Sequence, residues 1–151
     1  MLGALDMFAI GIGPSSSHTI GPMKAAFMFV QLLKDTVVLD KVTRVEANLY
    51  GSLALTGEGH GTVPAVLNGL CGEHPKTVDP DNFLKLVEAI KQSNQLNLLR
   101  QHIIEFDFTK DFLLHKKDFL PQHANGLRFI AYSGENKLLV KEYFSIGRSE
   151  E

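Results

Sequence analysis

The chain has one cysteine, Cys71, and no tryptophan. A single thiol excludes an internal disulfide and fits a reducing compartment. By itself it cannot hold an iron–sulfur cluster or a cysteine-type zinc ion. Neither sign of charge dominates: 15 Lys and Arg stand against 17 Asp and Glu, a net charge of -2. With no long basic block, nucleic acid and membrane are not expected partners. The longest apolar run, Ala25 to Val30 and on to Leu33, is broken by Gln31 and is too short to span a bilayer. No basic segment precedes an apolar stretch, so no signal peptide is read. The chain lacks a Gly-x-Ser-x-Gly elbow, and no Walker-type lysine follows its glycines, so both of those readings fail. Glu58 is the only acid inside a polar loop, which leaves a carboxylate-pair hydrolase poorly supported. There is no internal repeat or low-complexity tract. What remains is 151 residues, 44% hydrophobic and 21% charged, the profile of one cytoplasmic globular domain with room for a core.

Hydrophobic periodicity orders that domain. Thr19 to Lys34 reads as a helix, with Pro22 tolerable because it lies in the first turn. Ile20, Met23, Phe27, Val30 and Leu33 form one stripe, and Ala25, Ala26, Phe29 and Leu32 cover most of the rest. A helix this apolar is expected to be buried on two sides. Val42 to Tyr50 alternates as a half-buried strand, with Val45, Ala47 and Leu49 on one face and Arg44, Glu46 and Asn48 on the other. Gly51 to Thr62 reads as a loop. A short helix then carries Val63, Val66, Leu67 and Leu70. Asp79-Pro80 starts another, with Phe83, Leu84, Val87 and Ile90 on its buried face. Ile103 to Phe108 alternates as a strand. Phe112 to Leu120 is read as a short strand and then a loop. Gly126 to Tyr132 and Lys137 to Ser145 make a hairpin across Ser133-Gly134-Glu135-Asn136. Helices early and strands late predict an α+β fold, a mixed and mainly antiparallel sheet with helices packed on one face.

Three polar segments are candidates for chemistry. The first is Gly11-Ile12-Gly13-Pro14-Ser15-Ser16-Ser17-His18-Thr19, which leads directly into the long helix. The first amides of a helix lack internal partners and sit at the positive end of its dipole, so they favour a small carboxylate or phosphate. Ser15, Ser16, Ser17 and Thr19 add hydroxyl donors to that field. A plain helix cap is the competing reading. The second is the loop from Tyr50 to Thr62, in which Gly57, Gly59 and Gly61 surround His60 and leave it open to close approach. A solvated histidine on a flexible connection is the alternative. The third is His123-Ala124-Asn125 at a strand entrance, where two polar side chains can point into one pocket, or where Asn125-Gly126 is only a turn. His74, His102 and His115 have no polar constellation near them in sequence and are read as structural or surface residues.

The three segments, in this order and at these separations, closely resemble the beta domain of bacterial iron–sulfur L-serine dehydratase. The resemblance runs from Asp6-Met7-Phe8 to Ser145-Ile146-Gly147. Three positions depart from the family's habit. Ala124 stands where proline is usual, Val63-Pro64 follows the Gly-His-x-Thr segment where an acid is common, and Gly147 leads to Arg148 rather than to further glycines. The fold is also similar to the serine-binding regulatory domain of some phosphoglycerate dehydrogenases.

The resemblance implies that residues 1–151 are the beta part of an enzyme that deaminates L-serine to pyruvate and ammonia without pyridoxal phosphate. A four-iron, four-sulfur cluster (4Fe-4S), held by cysteines of an alpha domain absent from this chain, would act as Lewis acid toward the substrate hydroxyl. No metal ligand is assigned to this chain. Its partners would be L-serine and that alpha domain, and a homo-oligomer is expected. Ser15, Ser16, Ser17 and Thr19 would hold the substrate carboxylate, with His18 donating to it or orienting the loop. His60 is the first candidate for proton transfer at Cα and His123 the second. Asn125 would place the amine or carboxylate, and Tyr50 would donate a hydrogen bond or a proton. The alternative is a regulatory serine-binding domain without a catalytic role. A structural lid for the alpha domain is the third reading.

Overall fold

The computed structural model describes residues 19–56, 61–116 and 125–144. Helix α1 spans Ile20–Asp35. Pro22 falls in its first turn, where a missing N–H breaks no helical bond. The buried side of α1 is Met23, Ala25, Ala26, Phe29, Val30 and Leu33. The expected burial nearly all round is therefore only partly met. Ile20, Phe27 and Leu32 are half-buried, and Met28 is exposed.

A short 3-10 turn, Leu39–Lys41, leads to β1, Arg44–Gly51. Gly51, at φ 62°, turns the chain into a one-turn helix α2, Ser52–Thr56, within the segment read as loop from the sequence. Helix α3 spans Thr62–Leu70. The next helix begins where expected: Asp79 caps it, accepting from the Asp81 amide at 2.9 Å, with Pro80 at its first position. It breaks at Leu84, however, into α4 (Pro80–Phe83) and α5 (Lys85–Ser93). The cause is the buried Asn68 of α3. Its amide donates to the Phe83 carbonyl at 3.0 Å, and the Val87 N–H turns to Leu84 O instead. Leu84 is left 65% exposed rather than on the buried face, while Val87 and Ile90 are buried.

Two further short strands, β2 (Gln95–Leu98) and β3 (His102–Glu105), form a separate hairpin. The sequence reading missed β2 and ran β3 on to Phe108. It stops earlier because Asp107 caps a new turn, accepting from the Thr109 amide at 2.9 Å. That turn is α6, Phe108–Asp111, and β4 (Phe112–His115) follows it directly. Strands β5 (Asn125–Ser133) and β6 (Asn136–Phe144) complete the chain's described part as the expected hairpin.

The main sheet has the order β4-β1-β5-β6, with β1 parallel to β4 and the other neighbours antiparallel. This is the α+β fold with a mixed, mainly antiparallel sheet. Register explains the core: Val45, Ala47 and Leu49 lie opposite Ala131, Phe129 and Leu127, and all six are fully buried. Phe29 of α1 lies on Phe129 at 5.3 Å between ring centres. Helix α3 lies beside α1 so closely that a Cβ on Gly69 would meet Met23 O at 2.3 Å. No helix among the described residues is long and apolar enough to cross a membrane.

Cys71 sits buried just past the end of α3, and burial pushes its thiol up to about 11. Burial likewise pushes the Tyr143 phenol above its ordinary range. An unfolded thiol ionises near pH 8.5. As pH rises above that, the unfolded chain sheds a proton that the folded chain keeps, so stability is expected to fall until the folded thiol also ionises. Denaturant unfolding across the alkaline range should show the fall, and Cys71→Ala should flatten part of it. A thiol reagent should label Cys71 only after denaturant is added.

Candidate functional site

Ser15, Ser16, Ser17, His18, His60 and His123 lie outside the described residues. Thr19, Tyr50 and Asn125 lie within them.

Thr19 is the N-cap residue of α1, and its side chain makes no capping bond to the helix amides. Gly61 holds the same position on α3, at φ +80°. A Cβ on Gly61 would lie 3.6 Å from Thr19 Oγ1 and 3.8 Å from the Phe83 ring. The two helices therefore begin side by side. Because Gly69 meets Met23 and Ala26 farther along, they also run in the same direction. Two positive dipole ends thus share one location, the point where the first and second polar segments enter their helices. Asn68 supports it from below by fixing Phe83 beside Gly61.

Tyr50 and the backbone of Asn125 lie on adjoining strands, one register position apart. Gly51 is the register partner of Asn125, and Tyr50 that of Gly126. On its other side Tyr50 is the register partner of His115 in β4. The two rings stack at 4.4 Å, only 8° from parallel. His115 Nε2 lies 2.8 Å from Asn48 Oδ1. Arg128 Nη1 donates to the Tyr50 hydroxyl at 3.4 Å, while its Nε donates to Glu142 at 2.7 Å. A guanidinium only donates, so the phenol oxygen accepts here and its own O–H is directed elsewhere. The same sheet face continues through Asn48 to Glu46, Arg44 and Asp111, joined by hydrogen bonds of 2.7–3.0 Å. It is the face opposite Val45, Ala47 and Leu49.

His115, read from the sequence as structural or surface, bonds Asn48, a neighbour that the local sequence does not show. Asn48 and Arg128 were also missed as neighbours of Tyr50. Alternation puts Asn48 on the face of Tyr50, which was a usable signal. Nothing local marks β4 as the strand beside it. His102 behaves as expected, with Nε2 bonded to Val42 O at 2.7 Å. His74 lies edge-on to Phe27 at 5.7 Å, and partial burial with Lys24 and Lys76 nearby lowers its pKa.

Among the described residues no three His, Cys, Asp or Glu side chains converge as metal ligands. The single thiol is buried and holds its proton well into the alkaline range. The described residues therefore do not form an iron–sulfur site.

The described residues form an α+β module in which two helices begin side by side next to a mixed sheet. The model of the serine dehydratase beta chain family matches residues 3–149, and this chain belongs to that family. An L-serine dehydratase of Streptomyces coelicolor is 49% identical over 147 residues, covering 97% of this chain and 32% of that protein. L-serine dehydratase 1 of Escherichia coli is 46% identical over 149 residues, again 97% of this chain and 32% of the relative. An L-serine dehydratase of Helicobacter pylori is 44% identical over 144 residues, or 95% and 31%. The chain thus spans about a third of the length of the relatives it matches.

Proposed function

We propose that this chain is the beta region of an L-serine dehydratase and supplies half of a site completed by an alpha region. The observation that carries the reading is the adjacency of Thr19 and Gly61 at two helix N-termini. Thr19 follows His18 and the serines, and Gly61 follows His60. Hydroxyl donors and paired helix dipoles suit the carboxylate of a small amino acid. Holding the carboxylate aligns Cα with a base and the hydroxyl with its acceptor, which removes much of the entropic barrier. In this reading Ser15, Ser16, Ser17 and Thr19 bind the carboxylate and His18 orients the loop. His60 or His123 takes the Cα proton. Asn125 places the amine or carboxylate, and Tyr50 gives a hydrogen bond or a proton. The 4Fe-4S cluster belongs to the alpha region.

The test is a Ser16→Ala, Ser17→Ala double variant of the complete enzyme. Each charge-assisted bond is worth about 1.5–3 kcal/mol, so KM for L-serine should rise tenfold or more with kcat less affected. Unchanged kinetics would leave these serines as helix-capping residues only. The isolated chain should fold and release no pyruvate from L-serine. Turnover by the chain alone would overturn the two-part site.

A further inference from the structure

Residue Tyr50 is held by more of the sheet than its own strand. The amide orientation of Asn48 is fixed by two acceptors: Nδ2 donates to Glu46 Oε1 at 3.0 Å and to Arg128 O at 3.3 Å. Its Oδ1 must then face His115, which makes Nε2 of that imidazole the proton-bearing nitrogen. Asn48 and Tyr50 are buried, while His115, Arg128 and Glu142 around them are partly exposed. The imidazole so oriented lies flat on the Tyr50 ring. Arg128 meets the same phenol from β5, with its guanidinium carbon 5.6 Å from the ring centre. Glu142 in turn steadies Arg128 from β6. Strands β4, β1, β5 and β6 therefore all contribute to the pose of one tyrosine. Fully connected polar networks of this kind specify one arrangement of a buried group.

We propose that His115 is a positioning residue for Tyr50: tied to Asn48, its ring sets the plane and direction in which the phenol reaches the reacting substrate. The inference rests on Tyr50 acting in L-serine turnover, as assigned under the proposed function. A ring that only filled space would serve stability alike at any step of the reaction. A ring that aims the phenol acts on kcat, because a displacement of about 1 Å at a reacting group costs on the order of 100-fold.

The experiment is a double-mutant cycle in the complete enzyme, with thermal unfolding measured on every variant. Tyr50→Phe should lower kcat. His115→Leu keeps bulk but removes the stack and the bond to Asn48, and it should lower kcat by about 10- to 100-fold with KM little changed. His115→Phe, which restores the stack but not the bond to Asn48, should recover only part of that loss. The Tyr50→Phe, His115→Leu double variant should be no worse than Tyr50→Phe, because residues acting as a unit are not additive. Should His115→Leu fail to fold, His115→Gln keeps the Asn48 bond without the ring and replaces it in the cycle. Multiplying losses in the double variant, or a loss confined to thermal stability, would overturn the role of His115 while leaving Tyr50 in place. Normal turnover in Tyr50→Phe would overturn the assignment of Tyr50 first, and the inference with it.

Discussion

Replacing His60 with alanine in the complete enzyme is expected to lower turnover of L-serine by about 10²–10⁴, the usual worth of a positioned acid or base. Protein stability should hold, because the glycines at 57, 59 and 61 give His60 little to pack against in sequence. The decisive comparison is His123→Ala, measured with the same substrate range. A large loss at His123 beside a near-normal His60 variant would move the base to the third segment. Near-normal turnover in both would take this domain out of the chemistry and favour a regulatory serine-binding role. His102→Ala serves as the contrast. Its ring bonds Val42 O at 2.7 Å, tying β3 to the entrance of β1. Losing that bond should lower stability by about 1 kcal/mol and leave the chemical step nearly intact.

The contrast among histidines also shows where sequence ceases to carry structure. Local pattern is sufficient to place β1, since Arg44 to Leu49 alternates strictly, but burial follows the alternation only as far as Ala47, because Asn48 on the polar face is buried too. It suffices for the start of α4, because Asp79-Pro80 is a cap and a first helical residue in one dipeptide. It fails at Leu84, whose exposure is decided by Asn68, 15 residues upstream of Phe83. It fails for His115 in the same way, since Asn48 stands 67 positions away and only the parallel pairing of β1 with β4 joins them. The Thr19–Gly61 adjacency is equally unreadable, because it depends on how closely two helices approach. The polar segments themselves are plain in the sequence, since chemistry is written in residue type where geometry is not.

That helix approach carries the second large effect. Gly69→Ala should be the most damaging single-methyl change among the described residues of α3. Its Cβ would stand 2.3 Å from Met23 O and 2.8 Å from the Ala26 Cβ. A backbone carbonyl cannot rotate aside as a flexible side chain can, so α1 must shift bodily. Overpacking typically costs about 1–3 kcal/mol, and this site should lie at the upper end. For a chain of this size that is a fall in Tm of up to about 10 °C. Because the shift separates the helix starts at Thr19 and Gly61, KM for L-serine in the complete enzyme should rise too. Gly134→Asn supplies the control. Gly134, unlike the helical Gly69, has positive φ, at 60°, but nothing lies within 4 Å of its Cβ position, and asparagine tolerates that conformation. Its variant should melt close to the parent. Equal melting of the two variants would mean that the close approach of the two helices at Gly69 does not set the effect.

The central place of β1 has a consequence for how the chain comes to be folded at all. Its two ladders are made with residues 112–115 and 125–132, so neither can close until the chain has been made well past residue 111. Pairings this distant in sequence are slow, typically forming over about milliseconds to seconds. During that interval β1 offers two unpaired edges. A nascent or truncated chain that ends before β5 should therefore aggregate rather than wait. The strand that brings Tyr50 and His115 together is also the one most exposed to misassembly while the chain is being made.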